Sequence, residues 1–403
     1  MNLSVKSADI LKRDNSIMIP FIDLKTQYKL LENDIQAGIN SVLEHGKFIM
    51  GPEVFELEKQ LAEFAGVKHV ISCSSGTDAL LMPLMAQNIG PGDIIFTTPF
   101  TFIATSEVIS LLGAIPIFVD IDSETFNIDP GKLKLAIQAV KKRDTGIYPL
   151  PREIPATAAP KAIIPVDLFG LPADYDQIME IAKQENLFVL EDAAQGFGGI
   201  YKDRKAGSLG HAGATSFFPA KPLGCYGDGG AIFTNDDTLA EKLISIRVHG
   251  QGKDKYNNIR TGLNARLDTL QAAILLPKLK IFPQEMSARQ KNAQSYNDAL
   301  ADLQDRITTP FVPAGYKSAW AQYSLLADKR EVIMEALKKE GIPTAIYYPV
   351  PLHLQTTFSN LQYKTGDFPV AESISKRIFS LPMHPYLDDE VINRITEIIH
   401  RVI

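Results

Sequence analysis

The chain has 403 residues, too many for one small core at roughly 150 residues per domain, so two or three units are expected. Hydrophobic residues at 45% and charged residues at 22% describe a well-packed globular protein, not a disordered one. A net charge of -6 offers no broad basic face, and a nucleic-acid partner is discounted.

Residues 1–18 carry Lys6, Asp9, Lys12, Arg13 and Asp14 among scattered apolar residues, without the hydrophobic centre of a signal peptide, and are expected to form a frayed leader. No run of about 18 apolar residues exists to cross a membrane. Cys73 and Cys225 are too few for a disulfide framework or a four-cysteine zinc site, so a cytoplasmic, reducing setting is expected. No cluster of His, Cys and carboxylates suggests a metal.

From Val70 onward, short apolar runs alternate with helical patterns. Residues 94–98, 115–120, 162–166 and 187–192 have the continuous hydrophobicity of strands buried on both faces. Helices are predicted at 76–87, 103–112, 130–140 and 174–184. This rhythm implies an α/β fold with an open, mostly parallel sheet covered by helices on both sides. Residues 142–161, with Pro149, Pro151, Pro155 and Pro160, read as a surface insertion. After Asp268 long helices follow at 269–282 and 284–303, then a strand at 320–327 and a helix at 330–340. The expected division is a large domain over 19–268 and a smaller α+β domain over 269–403.

Four segments carry chemistry. Ser74-Ser75-Gly76-Thr77-Asp78 opens a helix after a strand; glycine lets a ligand approach the backbone, and free amides with the Thr77 hydroxyl suit a phosphate, although an ordinary helix cap has the same pattern. Pro99-Phe100-Thr101-Phe102 follows the next strand, and either phenylalanine can lie on a planar ring or simply pack. Glu191-Asp192-Ala193-Ala194-Gln195 ends an inner strand, where Asp192 either caps a helix or needs a cation such as a protonated pyridine nitrogen. Lys221 stands in Ser216-Phe217-Phe218-Pro219-Ala220-Lys221-Pro222-Leu223-Gly224, ahead of Gly227-Asp228-Gly229-Gly230. A surface lysine is the simpler reading, but a desolvated amine there can attack a carbonyl. A phosphate cradle, a stacking ring, a carboxylate and an amine are together the four handles of pyridoxal 5'-phosphate.

With those residues in view, the sequence resembles the DegT/StrS family of nucleotide-sugar aminotransferases, which have the fold type I, aspartate aminotransferase-like architecture. The likeness runs from about Ile19 to the end, through Phe21-Ile22-Asp23-Leu24, Gly51-Pro52-Glu53-Val54, the segments above, Asn264-Ala265-Arg266-Leu267-Asp268 and Leu381-Pro382-Met383-His384-Pro385. The resemblance implies that Lys221 forms the Schiff base and shuttles the proton, that Asp192 holds the pyridine nitrogen and Gln195 the phenolic oxygen, and that Phe102 stacks on the ring. It further implies that Gly76, Thr77 and Ser216 hold the phosphate, with Asn264 reaching it from the neighbouring subunit of a homodimer. L-glutamate would donate the amine, leaving as 2-oxoglutarate, to a UDP-linked keto sugar; the segments around Lys221 and Arg266 are most similar to the enzymes that aminate C3 of UDP-2-acetamido-2-deoxy-3-oxo-D-glucuronate for O-antigen synthesis.

Arg266 would fork a substrate carboxylate, or it would pair with Asp268. Tyr347-Tyr348-Pro349 replaces a family His-Tyr-Pro; both tyrosines would contact substrate, and Tyr347 cannot titrate near pH 7 as a histidine would. His384 and His249 read as structural or substrate-adjacent. Amination at C4 of another sugar, and a cofactor-binding regulatory protein, stand as alternatives. A family dehydratase would have histidine where this chain has Lys221.

Overall fold

The computed structural model describes residues 19–254 and 256–403, and the expected leader, residues 1–18, lies outside them. Two helices precede the sheet. Helix α1 (Leu24–His45) is capped by Asp23, whose carboxylate accepts from the Thr26 amide, and α2 (Pro52–Ala65) starts on proline, which has no amide hydrogen to leave unpaired. The first strand, β1 (His69–Cys73), leads into α3 (Gly76–Ala86), followed by β2 (Asp93–Thr97), α4 (Ala104–Leu111), β3 (Ile115–Phe118), α5 (Pro130–Lys142), β4 (Ala159–Ile164), α6 (Tyr175–Glu185) and β5 (Phe188–Asp192). A small hairpin, β6 (Ile200–Tyr201) with β7 (Arg204–Lys205), precedes β8 (Ala212–Ser216), β9 (Gly230–Thr234) and α7 (Asp237–Arg247).

The main sheet has seven strands in the order β1-β9-β8-β5-β4-β2-β3. Only β9 runs against its neighbours, so β1, β2, β5 and β8 all point the same way and their carboxyl ends share one edge. Alternate side chains feed opposite layers. Ile94, Phe96, Ile117, Ile163 and Val189 pack on α5 and α6, while Ile71, Ile95, Ile164, Leu190 and Ile232 pack on α3, α4 and α7. Burial on both faces is why these strands read as continuous apolar runs in the sequence.

Beyond α8 (Thr269–Ala299) come β10 (Ile307–Thr308), β11 (Tyr316–Lys317), β12 (Tyr323–Ala327), α9 (Arg330–Lys339), α10 (Pro369–Arg377), β13 (Ile378–Leu381) and α11 (Asp389–Val402). Strands β10, β12 and β13 form an antiparallel sheet backed by α9 and α11, around Leu325, Phe379, Ile392 and Ile395.

Three expectations are corrected. The two helices predicted at 269–282 and 284–303 are one: α8 continues through Pro277 and Pro283, because its packing along α1 and α2, with Leu275, Leu279 and Phe282 buried, outweighs the lost backbone bonds. The stretch 142–161 is no mere surface insertion. Tyr148 is buried and its hydroxyl receives the Asp120 amide at 2.8 Å, the Arg152 amide reaches Leu361, and Pro160 lies inside β4. The strand predicted at 320–327 starts only at Tyr323, since Trp320 adopts a positive φ of 49°. Among the described residues no helix is long and apolar enough to cross a membrane.

Candidate active site

The shared carboxyl edge of β1, β2, β5 and β8 gathers all four chemical segments, as ligand sites in open α/β sheets do. At the end of β1, Ser75 caps α3: its hydroxyl accepts from the Asp78 amide at 3.0 Å, and the Asp78 carboxylate is occupied by the hydroxyls of Ser74 and Ser75. The amides of Gly76 and Thr77, in the first helical turn, have no intrahelical acceptor. A Cβ on Gly76 would lie 2.6 Å from the Ser216 Cβ, so only glycine lets the start of α3 and the end of β8 close into one cup.

Asp192, at the end of β5, is buried. Its Oδ2 accepts from the Thr105 hydroxyl at 2.7 Å and its Oδ1 from the Ala194 amide at 3.2 Å. Burial pushes this carboxyl above its ordinary range; Thr105, Ala194 and the charge of Lys221 pull it back. Burial likewise lowers the Lys221 amine, with Asp192 opposing. Among the described residues, no hydrogen bond or ion pair reaches the Lys221 Nζ. An amine so held is nearer to neutral than a surface lysine and feels the charge of Asp192.

The two phenylalanines separate cleanly. Phe100 is fully buried, edge-on to Phe169 and Tyr348 with centroids 6.4 and 6.2 Å away, whereas Phe102 is 55% exposed and keeps its ring free. Gln195 accepts from the Phe169 amide at 2.8 Å and donates to the Tyr348 hydroxyl at 3.1 Å, which uses one of its two amide hydrogens. Burial pushes the phenols of Tyr347 and Tyr348 up, so both stay neutral. Tyr347 also packs near Phe21, 6.4 Å between centroids.

Asn264 and Arg266 lie together on the segment before α8, where Arg266 Nη2 donates to Asn264 Oδ1. Among the described residues Arg266 forms no ion pair with Asp268, and its Nε is buried without a partner. His384 is buried with neither ring nitrogen bonded to a side chain; burial, against the pull of Asp23, pushes it down to about 4, and it is neutral at pH 7. His249 sits at a positive φ of 62° with its carbonyl accepting from Asn258. No group of three or more His, Cys, Asp or Glu capable of holding a metal occurs among the described residues.

Sequence reasoning passed over Thr105. Its signal was a second threonine one turn after Thr101, at the start of the helix that follows the Phe100-Phe102 loop, and the two hydroxyls are 3.3 Å apart.

A desolvated amine, a buried acid, a free aromatic face and a glycine-serine cup fit pyridoxal phosphate, and the unpartnered Lys221 Nζ is the group that such a bound molecule would satisfy. The sheet and its active edge are those of a fold type I, pyridoxal phosphate-dependent aminotransferase. More narrowly, the chain belongs to the DegT/DnrJ/EryC1/StrS aminotransferase family, whose model matches residues 29–400.

It is 49% identical over 371 residues to the UDP-2-acetamido-2-deoxy-3-oxo-D-glucuronate aminotransferase of Pseudomonas aeruginosa, covering 92% of this chain and 96% of that one. A crystal structure of a family aminotransferase from Brucella abortus superposes with a TM-score of 0.89 at 50% identity, covering 95% of this chain and 99% of that one. The Bacillus subtilis protein NtdA, solved with bound cofactor PMP, gives a TM-score of 0.82 at 30% identity, with 97% and 86% covered.

Proposed function

We propose that the protein moves an amino group from L-glutamate to C3 of UDP-2-acetamido-2-deoxy-3-oxo-D-glucuronate, in the cytoplasm, as a step toward a bacterial surface polysaccharide such as O-antigen. The observation that carries the choice of substrate is Arg266: its Nε is buried and unpartnered, and Asp268 does not neutralise it. A guanidinium with a free edge suits the flat carboxylate of a glucuronate or of glutamate, so one residue can serve both halves of the reaction. The similarity to the Pseudomonas aeruginosa enzyme, which its name ties to that sugar, points the same way.

Bound pyridoxal phosphate supplies an electron sink that stabilises the carbanion next to the nitrogen being transferred. The protein's part is to hold and to move protons. Lys221 would hold the cofactor through its amine and would move a proton at the substrate carbon. Asp192, kept in place by Thr105 and Ala194, keeps the pyridine nitrogen protonated. Gly76, Thr77 and Ser216 hold the phosphate, Phe102 covers the ring, and Gln195 offers its remaining amide hydrogen to the phenolic oxygen. Tyr347 and Tyr348 line the sugar side as neutral hydrogen-bonding groups.

Asn264 completes the phosphate site of a second copy, which makes the working unit a homodimer with shared sites. Residues 19–268 act as the cofactor-binding domain and 269–403 as the smaller C-terminal domain.

The test is a panel of UDP- and dTDP-linked keto sugars, with and without a C6 carboxylate, supplied with glutamate and read by mass and NMR. Amination at C3 of the carboxylated UDP sugar is expected; equal turnover of sugars lacking the carboxylate, or amination at C4, would redirect the assignment. Borohydride reduction followed by peptide mapping should place the cofactor label on Lys221.

A further inference from the structure

Helix α8 reaches into the Lys221 loop at two places. Near its start, Gln271 Oε1 accepts from the Tyr226 amide at 2.9 Å. Two turns later on the same face, Lys278 donates from Nζ to the Gly224 carbonyl at 2.7 Å and lies 4.0 Å from the Tyr226 ring centroid. Lys278 is completely buried. Among the described residues it has no ion pair, and burial pushes its amine down to about 8.

A buried ammonium is costly and lysine is seldom placed so deep, which makes its two contacts the reason for its presence. The atom it grips matters. A Cβ on Gly224 would lie 2.4 Å from the Pro219 carbonyl oxygen, so Gly224 closes the turn whose other bond joins the Lys221 amide to Phe218 at 2.8 Å. Cys225 fastens the far side, its amide donating to the Phe217 carbonyl at 2.8 Å and its sulfur lying 3.0 and 3.1 Å from the Phe217 and Gly227 carbonyls, either of which can take its one hydrogen.

We infer that Lys278, with Gln271 beside it, is a positioning residue: it fixes the Gly224 turn to α8 and thereby sets where the Lys221 amine stands relative to Asp192. Because α8 also begins at Thr269, three residues after Arg266, the same helix links the amine to the segment that carries the carboxylate-binding arginine. The inference rests on the proposed role of Lys221.

The experiment compares the wild-type holoenzyme with Lys278→Met, which keeps the stem and removes the ammonium, and with Gln271→Leu. Amide hydrogen exchange over residues 223–229 should rise about tenfold or more in both variants while the rest of the sheet stays protected. A shifted amine should lower kcat by roughly ten- to a hundredfold with the KM for glutamate changed less than about threefold. The absorption band of the bound cofactor should also change its pH midpoint.

Unchanged exchange in folded Lys278→Met, or faster exchange with kcat within about twofold of wild type, would overturn the positioning role. Should Lys278→Met not fold, Gln271→Leu alone decides by the same criteria. If the wild type carries no borohydride label on Lys221, the assigned chemistry fails, and the exchange data still report separately whether α8 holds the turn.

Discussion

Thr105 gives its hydroxyl hydrogen to Asp192 Oδ2 at 2.7 Å, joining the first turn of α4 to the end of β5 across 87 positions of sequence. The bond favours the ionised form of a carboxyl that burial pushes toward neutrality. Thr105→Val keeps the shape and removes the donor. A hydrogen bond to a charged group is worth about 1.5–3 kcal/mol, so kcat/KM should fall roughly ten- to a hundredfold, and Thr105→Ser should recover most of it. Steady-state kinetics on the three proteins check this; Thr105→Val at wild-type rate would mean that Asp192 needs no such support.

Phe100 and Phe102 allow a paired experiment. Phe100 is fully buried against Phe169 and Tyr348, so Phe100→Ala should cost about 3–5 kcal/mol of stability. Phe102 is 55% exposed, and Phe102→Ala should leave stability within about 0.5 kcal/mol. Loss of a stacking partner should instead weaken cofactor binding by about 0.5–1.5 kcal/mol. Urea titration and cofactor titration followed by absorbance separate the two effects; loss of cofactor affinity in neither variant would remove Phe102 from the ring site.

Arg266 tests the carboxylate assignment. Arg266→Lys keeps the charge but not the fork. The expected outcome is a rise in KM for the carboxylated sugar of about tenfold or more with little change for sugars without the carboxylate, measured on the same substrate panel. A uniform loss across the panel would assign Arg266 to glutamate or to the fold.

The sheet was legible because its strands are buried on both faces, so period-2 patterning gave way to short apolar runs bounded by turns. Each motif could be placed at a strand end for the same reason. What the sequence did not disclose depends on contacts between distant segments. Nothing local distinguishes Phe100 from Phe102, and their fates diverge only once Phe169 and Tyr348 pack around the first. Pro277 and Pro283 argue for a break that packing against α1 and α2 overrides. Thr105 and Lys278 act on atoms 87 and 54 positions away, beyond any window of periodicity.

Directly behind Asp192, two carboxyls are buried together. Glu191 accepts the amides of Gly207 and Leu209, at 2.5 and 2.7 Å, while Asp167 Oδ1 accepts from the Ala173 amide and the Tyr175 hydroxyl. Asp167 Oδ2 is buried, meets no N–H or hydroxyl donor and faces Glu191, an arrangement that two ionised carboxylates would not tolerate. Burial and the Glu191 charge push the Asp167 carboxyl well up, which favours a proton on it, and burial also pushes Glu191 up to about 7.

Raised carboxyls mean that the folded protein binds more protons than the unfolded chain. Their contribution to stability is complete below the ordinary carboxylate value of about 4.5 and is lost as pH rises through about 7. Asp167→Asn supplies a permanent neutral donor in the same space and removes the titration of the Asp167 carboxyl. Urea midpoints at pH 5 and pH 8 should fall with pH in the wild type and fall less in Asp167→Asn, so the variant gains relative stability at the higher pH; parallel slopes in the two proteins would show that the carboxyls share no proton.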